Sequence, residues 1–371
     1  MQYRALGRTG YTVSQLGFGA MRLPVIGEGE AAQVNRELAI PMIHKAFESG
    51  VNYIDTAVGY CNQDSQRAVG EALVGWRDKI VVSTKNHEYQ DEKIWWTNLE
   101  NSLQRLQVEY IDIYNHHGIN WERWTKDVEP NVSHWMRKAK DQGLIKHICT
   151  SFHDNNANLI KLIDTGYFES FTLQYNMLDR QLEEAIAYAH EQGVGIVVMG
   201  PVAGGRLGTA SPVLEELLPQ VKRVPELALR FVLANPNVTL ALSGMSTMQQ
   251  VEENCATASD EVSLNPADKT AIEEHLLRLK QMADLYCTGC GYCMPCSHEV
   301  NIPHVFQVYN EARVYGLWDV ARRSYQEWRG VQGKPADACE ECAECEPKCP
   351  QHIEIRAVLA EAHQALTSKG K

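Results

Sequence analysis

Eight short apolar or β-branched runs, each followed by a longer amphipathic stretch, constrain this chain more than any other feature of its 371 residues. They are VSQLGFGA (13–20), YIDTA (53–57), IVVSTK (80–85), YIDIYNHH (110–117), HICTSF (147–152), FTLQYN (171–176), GIVVMGP (195–201) and VTLALSG (238–244). Runs of this length and composition predict buried strands. The intervening stretches, such as ELAIPMIHKAFESG, DEKIWWTNLENSLQRLQ and ANLIKLIDTG, keep apolar residues at helical spacing. Several of them close on a glycine suited to a helix C-cap. Strand and helix alternating eight times over about 250 residues predicts a parallel (β/α)8 TIM barrel, an α/β fold, in preference to an open doubly wound sheet. Hydrophobic residues make up 44% of the chain, enough to fill such a core.

The eleven cysteines divide unevenly: Cys61, Cys149 and Cys255 are scattered, and the other eight lie in 287–296 and 339–349. The first cassette, CTGCGYCMPC, spaces Cys287, Cys290, Cys293 and Cys296 two residues apart; the second places Cys339, Cys342, Cys345 and Cys349 before Pro350. In a reducing compartment such clustering argues for metal ligation over disulfides. Structural zinc is the plain alternative, but it takes two knuckles separated by a dozen or more residues. Closely spaced cysteines with a fourth and then a proline fit the larger iron-sulfur cube, and two cassettes predict two 4Fe-4S clusters. The first cassette departs from the pattern at its fourth cysteine, where Ser297 replaces the proline.

An internal repeat follows each cassette. CSHEVNIPHVFQVYNEA (296–312) matches CPQHIEIRAVLAEAHQA (349–365), with Val300 and Ile302 opposite Ile353 and Ile355. The repeat pairs Cys296 with Cys349 and predicts a helix in each copy. In two-cluster ferredoxins the fourth cysteine of each motif serves the other cluster. That rule groups Cys287, Cys290 and Cys293 with Cys349, and Cys339, Cys342 and Cys345 with Cys296. The 42 residues between the cassettes, 297–338, suggest a helical module in place of a compact hairpin. The expected organisation is a barrel over 1–265, a connecting helix over 266–286 and a ferredoxin-like domain over 287–371.

Lys and Arg total 35 against 47 Asp and Glu, a formal charge of -12, and no basic stripe interleaved with aromatics is present. A nucleic-acid partner is not expected. No run approaches the roughly 20 apolar residues of a membrane span, and MQYRALGRTG has no apolar segment behind its charge, so a cytoplasmic location without membrane contact is expected.

Barrel chemistry belongs at the C-terminal ends of strands. Asp55 ends YIDTA, with Tyr60 five residues on; Lys85 ends IVVSTK; His116 and His117 end YIDIYNHH. Singly, these are ordinary capping, packing or solvated residues. Together they make sense as carbonyl chemistry, because hydride addition needs an acid for the new alkoxide and a tyrosine of pKa near 10 is a poor one. A lysine ammonium beside Tyr60 would lower that pKa, an aspartate would hold the lysine charged, and a neutral histidine would orient the carbonyl oxygen.

The motifs NYIDTAVGY, STK, YIDIYNHH, LQYN, GPVAGGRL and SGMSTMQQVEEN, in that order, resemble the aldo-keto reductase superfamily over about residues 1–260. With its tail, the chain resembles the subfamily that carries a C-terminal ferredoxin domain. The resemblance implies an NAD(P)-linked oxidoreductase interconverting carbonyl and alcohol. Its tetrad would be Asp55, Tyr60, Lys85 and His117, with Tyr60 the proton donor. It further implies Ser151 and Gln174 at the nicotinamide carboxamide, Gly204, Gly205 and Leu207 along the pyrophosphate, and Ser246, Gln250 and Asn254 near the adenosine end. Phe152 and Met199 depart from the family pattern. Gly244 and Gln250 stand where NADP-preferring members place cations, which favours NAD over NADP, although Arg206 or another arginine offers a substitute.

A hydride carries two electrons and each cluster takes one, so a one-electron intermediary such as a flavin has to stand between them; no flavin motif is evident. The clusters would link a small-molecule carbonyl or alcohol substrate to a redox protein partner. Alternatively they are structural or sensing, or the barrel serves an electron-transfer or regulatory role. Trp121, Arg123 and Trp124 in GINWERWTKDVEPN (118–131) offer contacts to a sugar or an acid, and the expected substrate is a sugar, polyol or small aldehyde. Cys61 is a pocket liner or a redox-sensitive thiol, and Cys149 and Cys255 are expected in the core.

Overall fold

Each of the eight apolar runs forms a strand, and the eight close on themselves in chain order. They are β1 (Leu16–Gly19), β2 (Tyr53–Asp55), β3 (Val81–Asn86), β4 (Ile111–Ile119), β5 (Ile145–Phe152), β6 (Ser170–Gln174), β7 (Gly195–Met199) and β8 (Leu240–Ser243). Every neighbouring pair is parallel, and β8 pairs with β1 to complete the barrel. This computed structural model describes residues 1–208, 210–215, 221, 223–260, 264, 268, 270–274, 277, 287, 291–349 and 353–368. Most of the connecting helix expected over 266–286 lies outside the described residues, as does Cys290.

Strand alternation fixes what faces the barrel axis. Along β3 the inward residues are Val81, Ser83 and Lys85; along β4 they are Ile113, Asn115 and His117; along β5 they are Cys149 and Ser151. The lower layer is apolar, with Val81, Ile113 and Cys149 packed against Tyr53, Val197, Leu240 and Leu242. Two strands at Tyr3–Ala5 and Thr12–Ser14 pair antiparallel, and the adjoining Leu6 and Val13 join that apolar layer. Above it the inward side chains become polar. Ser83 Oγ donates to Asp55 Oδ2 at 2.7 Å and Asn115 Nδ2 donates to Ser83 Oγ at 3.0 Å. The polar layer therefore rests on a dry floor.

The outer helices start where the sequence supplies caps. Asn35 accepts from the Leu38 amide at the start of α1 (Arg36–Glu48), Asp91 from Ile94 at α3 (Glu92–Leu106), and Asn155 from Asn158 at α5 (Asn156–Asp164). The ring of barrel helices includes also α2 (Ser65–Ala72), α4 (Ser133–Asp141), α6 (Glu183–Glu191), α7 (Val224–Leu233) and α8 (Met248–Ser259). Gly143 and Gly193, just beyond α4 and α6, sit at φ of 75° and 69°, a backbone that glycine adopts without penalty.

The chain divides into two units, one of residues 1–204 with 228–263 and the other of 205–227 with 264–371. The second unit thus takes in a segment, 205–227, that lies within the stretch expected to be barrel. Inside that unit Arg206 pairs with Glu311, and Ser211 Oγ donates to the Tyr315 carbonyl at 2.6 Å. Both repeat copies become helices, α9 (Ile302–Tyr315) and α11 (Ile355–Thr367), with α10 (Trp318–Glu327) between them. Val300, Ile302 and Ile355 are buried in one core with Phe306, Tyr309 and Leu359, and Ile353 packs against it. The paired apolar positions of the repeat are the ones that build this core.

Candidate active site and cluster ligands

Asp55, Lys85 and Tyr60 meet at the C-terminal end of the barrel. Lys85 Nζ forms an ion pair with Asp55 and donates to the Thr56 carbonyl at 2.9 Å. The lysine is 2% exposed, so its charge depends on these partners. Burial works against the ammonium, yet Asp55 and Tyr60 outweigh it and hold the Lys85 pKa above its ordinary value. Nζ also lies 4.9 Å from the centroid of the Tyr60 ring. Burial raises the Tyr60 pKa, and Lys85 pulls it back only in part. The lowering by Lys85 is present, but in this pocket desolvation outweighs it, and Tyr60 stays a phenol at neutral pH.

Tyr60 follows Gly59 and precedes three left-handed residues, Cys61, Asn62 and Gln63, with φ of 50°, 53° and 67°. Each such residue costs on the order of 1 kcal/mol. Asn62 offsets part of that cost, because its Nδ2 donates to the carbonyls of Gly29 and Ala32 at 2.7 and 3.1 Å. Cys61 points its Sγ at the carbonyls of Ala20 and Met21, and burial raises its pKa, which disfavours the thiolate. Cys149 and Cys255 are buried, as expected.

The two histidines of YIDIYNHH separate by strand alternation. His117 stands edge-on to Tyr60, ring centroids 6.0 Å apart, while His116 turns away to stack near Tyr89 and to meet the Tyr167 hydroxyl at 3.2 Å. Burial lowers His116 to about 3; burial first, with Lys85 and neighbouring histidines, lowers His117 to about 4. Both rings are neutral at pH 7. An unfolded chain binds protons at histidine near 6.5 and the folded one does not until far lower, so stability falls as pH drops from about 6.5 toward 4. Thermal melts of wild type and His116→Asn over that window check this. The wild type is expected to lose melting temperature more steeply with acid than the variant.

The residues expected to contact the nicotinamide cofactor fall as follows. Ser151 is buried and its Oγ accepts from the Gly118 amide at 2.8 Å. Gln174, at the end of β6, lies so close to Gly200 that a Cβ there would sit 2.3 Å from its Oε1. Gly204, at φ 69°, has open space where a Cβ would stand, with no atom within 4 Å. Ser246 donates its amide hydrogen to Gln250 Oε1 at 2.8 Å, and Asn254 Nδ2 reaches Ser243 Oγ at 3.1 Å. Gly205 and Leu207 belong to the second unit, where Arg206 pairs with Glu311. Sequence reasoning missed one cation. Arg22 runs past Gly244, takes the Ser246 hydroxyl on its carbonyl at 2.7 Å and donates from Nη2 to the Gly204 carbonyl at 3.3 Å.

Within the segment 118–131, Gly118 and Ile119 end β4, and a short helical turn at Trp121–Arg123 follows, continued by a π-helix at Trp124–Val132. Trp124 is buried against Tyr167 and Phe168, at 5.2 and 5.3 Å, so it packs and does not grip a ligand. Arg123 Nη1 donates to the Gly118 carbonyl and its guanidinium covers the Tyr89 ring at 4.9 Å.

In the second unit Cys296, Cys339, Cys342 and Cys345 line one pocket, together with Cys293. Ser297 Oγ lies 3.8 Å from Cys342 Sγ. Cys287, Cys293 and Cys349 pack against the same helical core. Among the described residues no three His, Cys, Asp or Glu donors converge on a single-ion site. Several thiols around one pocket suit a larger inorganic core.

A family model described as "Aldo/keto reductase family" matches residues 15–276, and one described as "4Fe-4S dicluster domain" matches 286–354. An L-galactose dehydrogenase of Arabidopsis thaliana is 28% identical over 302 residues, covering 74% of this chain and 93% of its own. An NADH-specific methylglyoxal reductase of Escherichia coli (strain K12) is 27% identical over 321 residues, covering 72% and 96%. The holo form of an aldo-keto reductase from Bacillus halodurans superposes with a TM-score of 0.64 at 29% identity, over 74% of this chain and 96% of that one. With the closed barrel and the cysteine pocket already in view, these matches settle the family. The chain belongs to the aldo/keto reductase family, as an oxidoreductase whose barrel is followed by a 4Fe-4S dicluster domain.

Proposed function

We propose that the protein interconverts a carbonyl and an alcohol with a nicotinamide cofactor, Tyr60 being the proton donor to the carbonyl oxygen. The observation that carries this is the buried Asp55–Lys85 pair beneath the Tyr60 ring. When bound, the nicotinamide supplies or accepts the hydride. Tyr60 holds the proton at its hydroxyl, Lys85 stabilises the phenolate left behind, and Asp55 keeps Lys85 charged and in place. His117, neutral in this pocket, orients the oxygen. Ser151 and Gln174 would hold the carboxamide, Gly204, Gly205 and Leu207 the pyrophosphate, and Ser246, Gln250 and Asn254 the adenosine end. NAD is favoured over NADP, since Gly244 and Gln250 bring no charge to the adenosine end and a 2'-phosphate calls for several cations beyond the exposed Arg22. The specificity in the name of the methylglyoxal reductase relative agrees with that choice.

Two 4Fe-4S clusters are assigned to the tail, one on Cys339, Cys342, Cys345 and Cys296, the other on Cys287, Cys290, Cys293 and Cys349. The pocket that brings Cys296 to the second cassette supports the crossed pairing. A cytoplasmic setting keeps such thiolates reduced and available. The clusters pass electrons to or from a redox protein, with a flavin as the class of one-electron intermediary. No described helix is long and apolar enough to cross a membrane. The test is anaerobic: load the clusters, add NADH or NADPH, and follow the visible absorbance and the paramagnetic resonance signal, then add dithionite. Reduction by a nicotinamide supports an electron path. Reduction by dithionite alone, with carbonyls still oxidising NADH, assigns the clusters a structural or sensing role.

A further inference from the structure

Three adjacent strands carry one connected set of polar side chains beneath Tyr60. Ladder pairing places Asp55 of β2 opposite Ser83 of β3, and Lys85 of β3 opposite Asn115 of β4. All four side chains are buried: Asp55 is 4% exposed, Lys85 2%, and Ser83 and Asn115 not at all. The hydrogen bonds among them run in one direction. Asn115 Nδ2 donates to the Thr84 carbonyl at 3.1 Å and to Ser83 Oγ at 3.0 Å. A carbonyl only accepts, so the amide is turned with its nitrogen toward β3 and its orientation is fixed. A hydroxyl that receives the amide hydrogen has one hydrogen of its own to give, and Ser83 gives it to Asp55 Oδ2 at 2.7 Å. Asp55 Oδ1 takes the ion pair with Lys85. Among the described residues Ser83 and Lys85 are the side-chain donors to this carboxylate, one to each oxygen.

From this we infer that Ser83 and Asn115 are positioning residues for the Asp55–Lys85 pair: they lock the plane of the carboxylate so that Lys85 is aimed at the Tyr60 hydroxyl. The inference rests on the carbonyl-alcohol reading of the Tyr60 site and adds two residues to it. A carboxylate held at one oxygen turns about its Cβ–Cγ bond; held at both, it does not. Lys85 Nζ gives one hydrogen to Asp55 and one to the Thr56 carbonyl, which leaves the third for Tyr60, the other side chain that acts on it through a hydrogen bond. Lys85 and Asp55 are the charged groups that act on Tyr60, and His117 stands edge-on to it. An ammonium already aimed when the phenol gives up its proton stabilises the phenolate without reorganisation, and preorganised charge of this kind acts on rate. Stability alone does not select these side chains. Barrel interiors are ordinarily filled by branched apolar residues. Asn115 Oδ1 is buried with no hydrogen-bond partner among the described residues, a cost that a leucine would avoid. What the amide contributes is the work of its nitrogen.

The experiment uses the cluster-loaded full chain with NADH, and glyceraldehyde as the probe. It compares wild type, Ser83→Ala, Ser83→Thr, Asn115→Leu and the double variant that joins Ser83→Ala to Asn115→Leu. Initial rates give kcat and KM, fluorescence titration gives NADH affinity, and melts run in parallel. Ser83→Ala is expected to lower kcat about tenfold with KM and NADH affinity near wild type, the mark of an interaction that counts in the transition state alone. Ser83→Thr keeps the hydroxyl and should recover most of that rate. Asn115→Leu should show a smaller fall in kcat, and the double variant should be no slower than Ser83→Ala, since Asn115 acts through the serine. A role confined to stability moves the melting temperature and leaves kcat where it was. Wild-type kcat in both Ser83→Ala and Asn115→Leu overturns the inference, as does a loss carried by KM or NADH affinity alone, or a double variant whose loss is the product of the single ones. Should Ser83→Ala fail to fold, the kcat of Asn115→Leu decides. Failure of the underlying reading looks different: wild type reduces glyceraldehyde with neither NADH nor NADPH, or Tyr60→Phe keeps the wild-type rate, and the inference falls with it.

Discussion

Tyr60→Phe is expected to lower kcat by about 10²- to 10⁴-fold while leaving the melting temperature and cofactor affinity close to wild type. The change removes only the hydroxyl proposed to carry the proton, and general acid catalysis contributes on that scale. The ring stays, so its edge contact with His117 and the Lys85 ammonium near its face remain. Because Tyr60 is held as a phenol by burial, with Lys85 offsetting it only in part, the acid form is the resident one at neutral pH. Carbonyl reduction should therefore be nearly flat with pH across neutrality in wild type. Initial rates against pH, with melts run in parallel, check both statements. A variant that keeps full activity would move the acid elsewhere.

Cys345→Ala is expected to unfold the helical module and leave the barrel standing. Cys345 is 9% exposed, lies in the core shared by α9, α10 and α11, and lines the pocket with Cys296, Cys339 and Cys342. Thiolate-held metal centres contribute folding energy directly, on the order of 10 kcal/mol for structural ions, so losing one of four thiols removes more than a buried side chain. Hydrogen exchange by mass spectrometry should show loss of protection across 296–368 and retained protection in β1 to β8. Removing iron from wild type with a chelator should reproduce that pattern. A variant with full protection in α9 and α11 would mean that the apolar core alone folds the module.

The barrel was legible because its signals are local. Short apolar or β-branched runs, amphipathic stretches and glycines after helices each specify a short stretch, and eight consistent stretches specify the closure. The Asp55–Lys85 pair was legible for a related reason, since strand ends converge in any such barrel. Cysteine spacing in turn announced the clusters and, through the repeat, which apolar residues build the module. What escaped the sequence depends on packing. Arg22 is drawn to Gly204 across 182 residues and to Ser246 across 224, and no local pattern marks such contacts. The folding of 205–227 with the second unit rests on pairs such as Arg206 with Glu311, separated by 105 residues. The depth of burial that outweighs Lys85 at Tyr60 was not legible, because the sequence shows the lysine and hides the packing.

The measurement that bears most directly on the central claim is isotopic. Cluster-loaded protein is incubated anaerobically with glyceraldehyde and NADH deuterated at the transferred position, and the alcohol product is analysed by nuclear magnetic resonance. Direct hydride transfer at the Tyr60 site predicts one deuterium on the former carbonyl carbon, delivered to a single face. A product whose new carbon-bound hydrogen comes from solvent, formed while the clusters turn over, would contradict it.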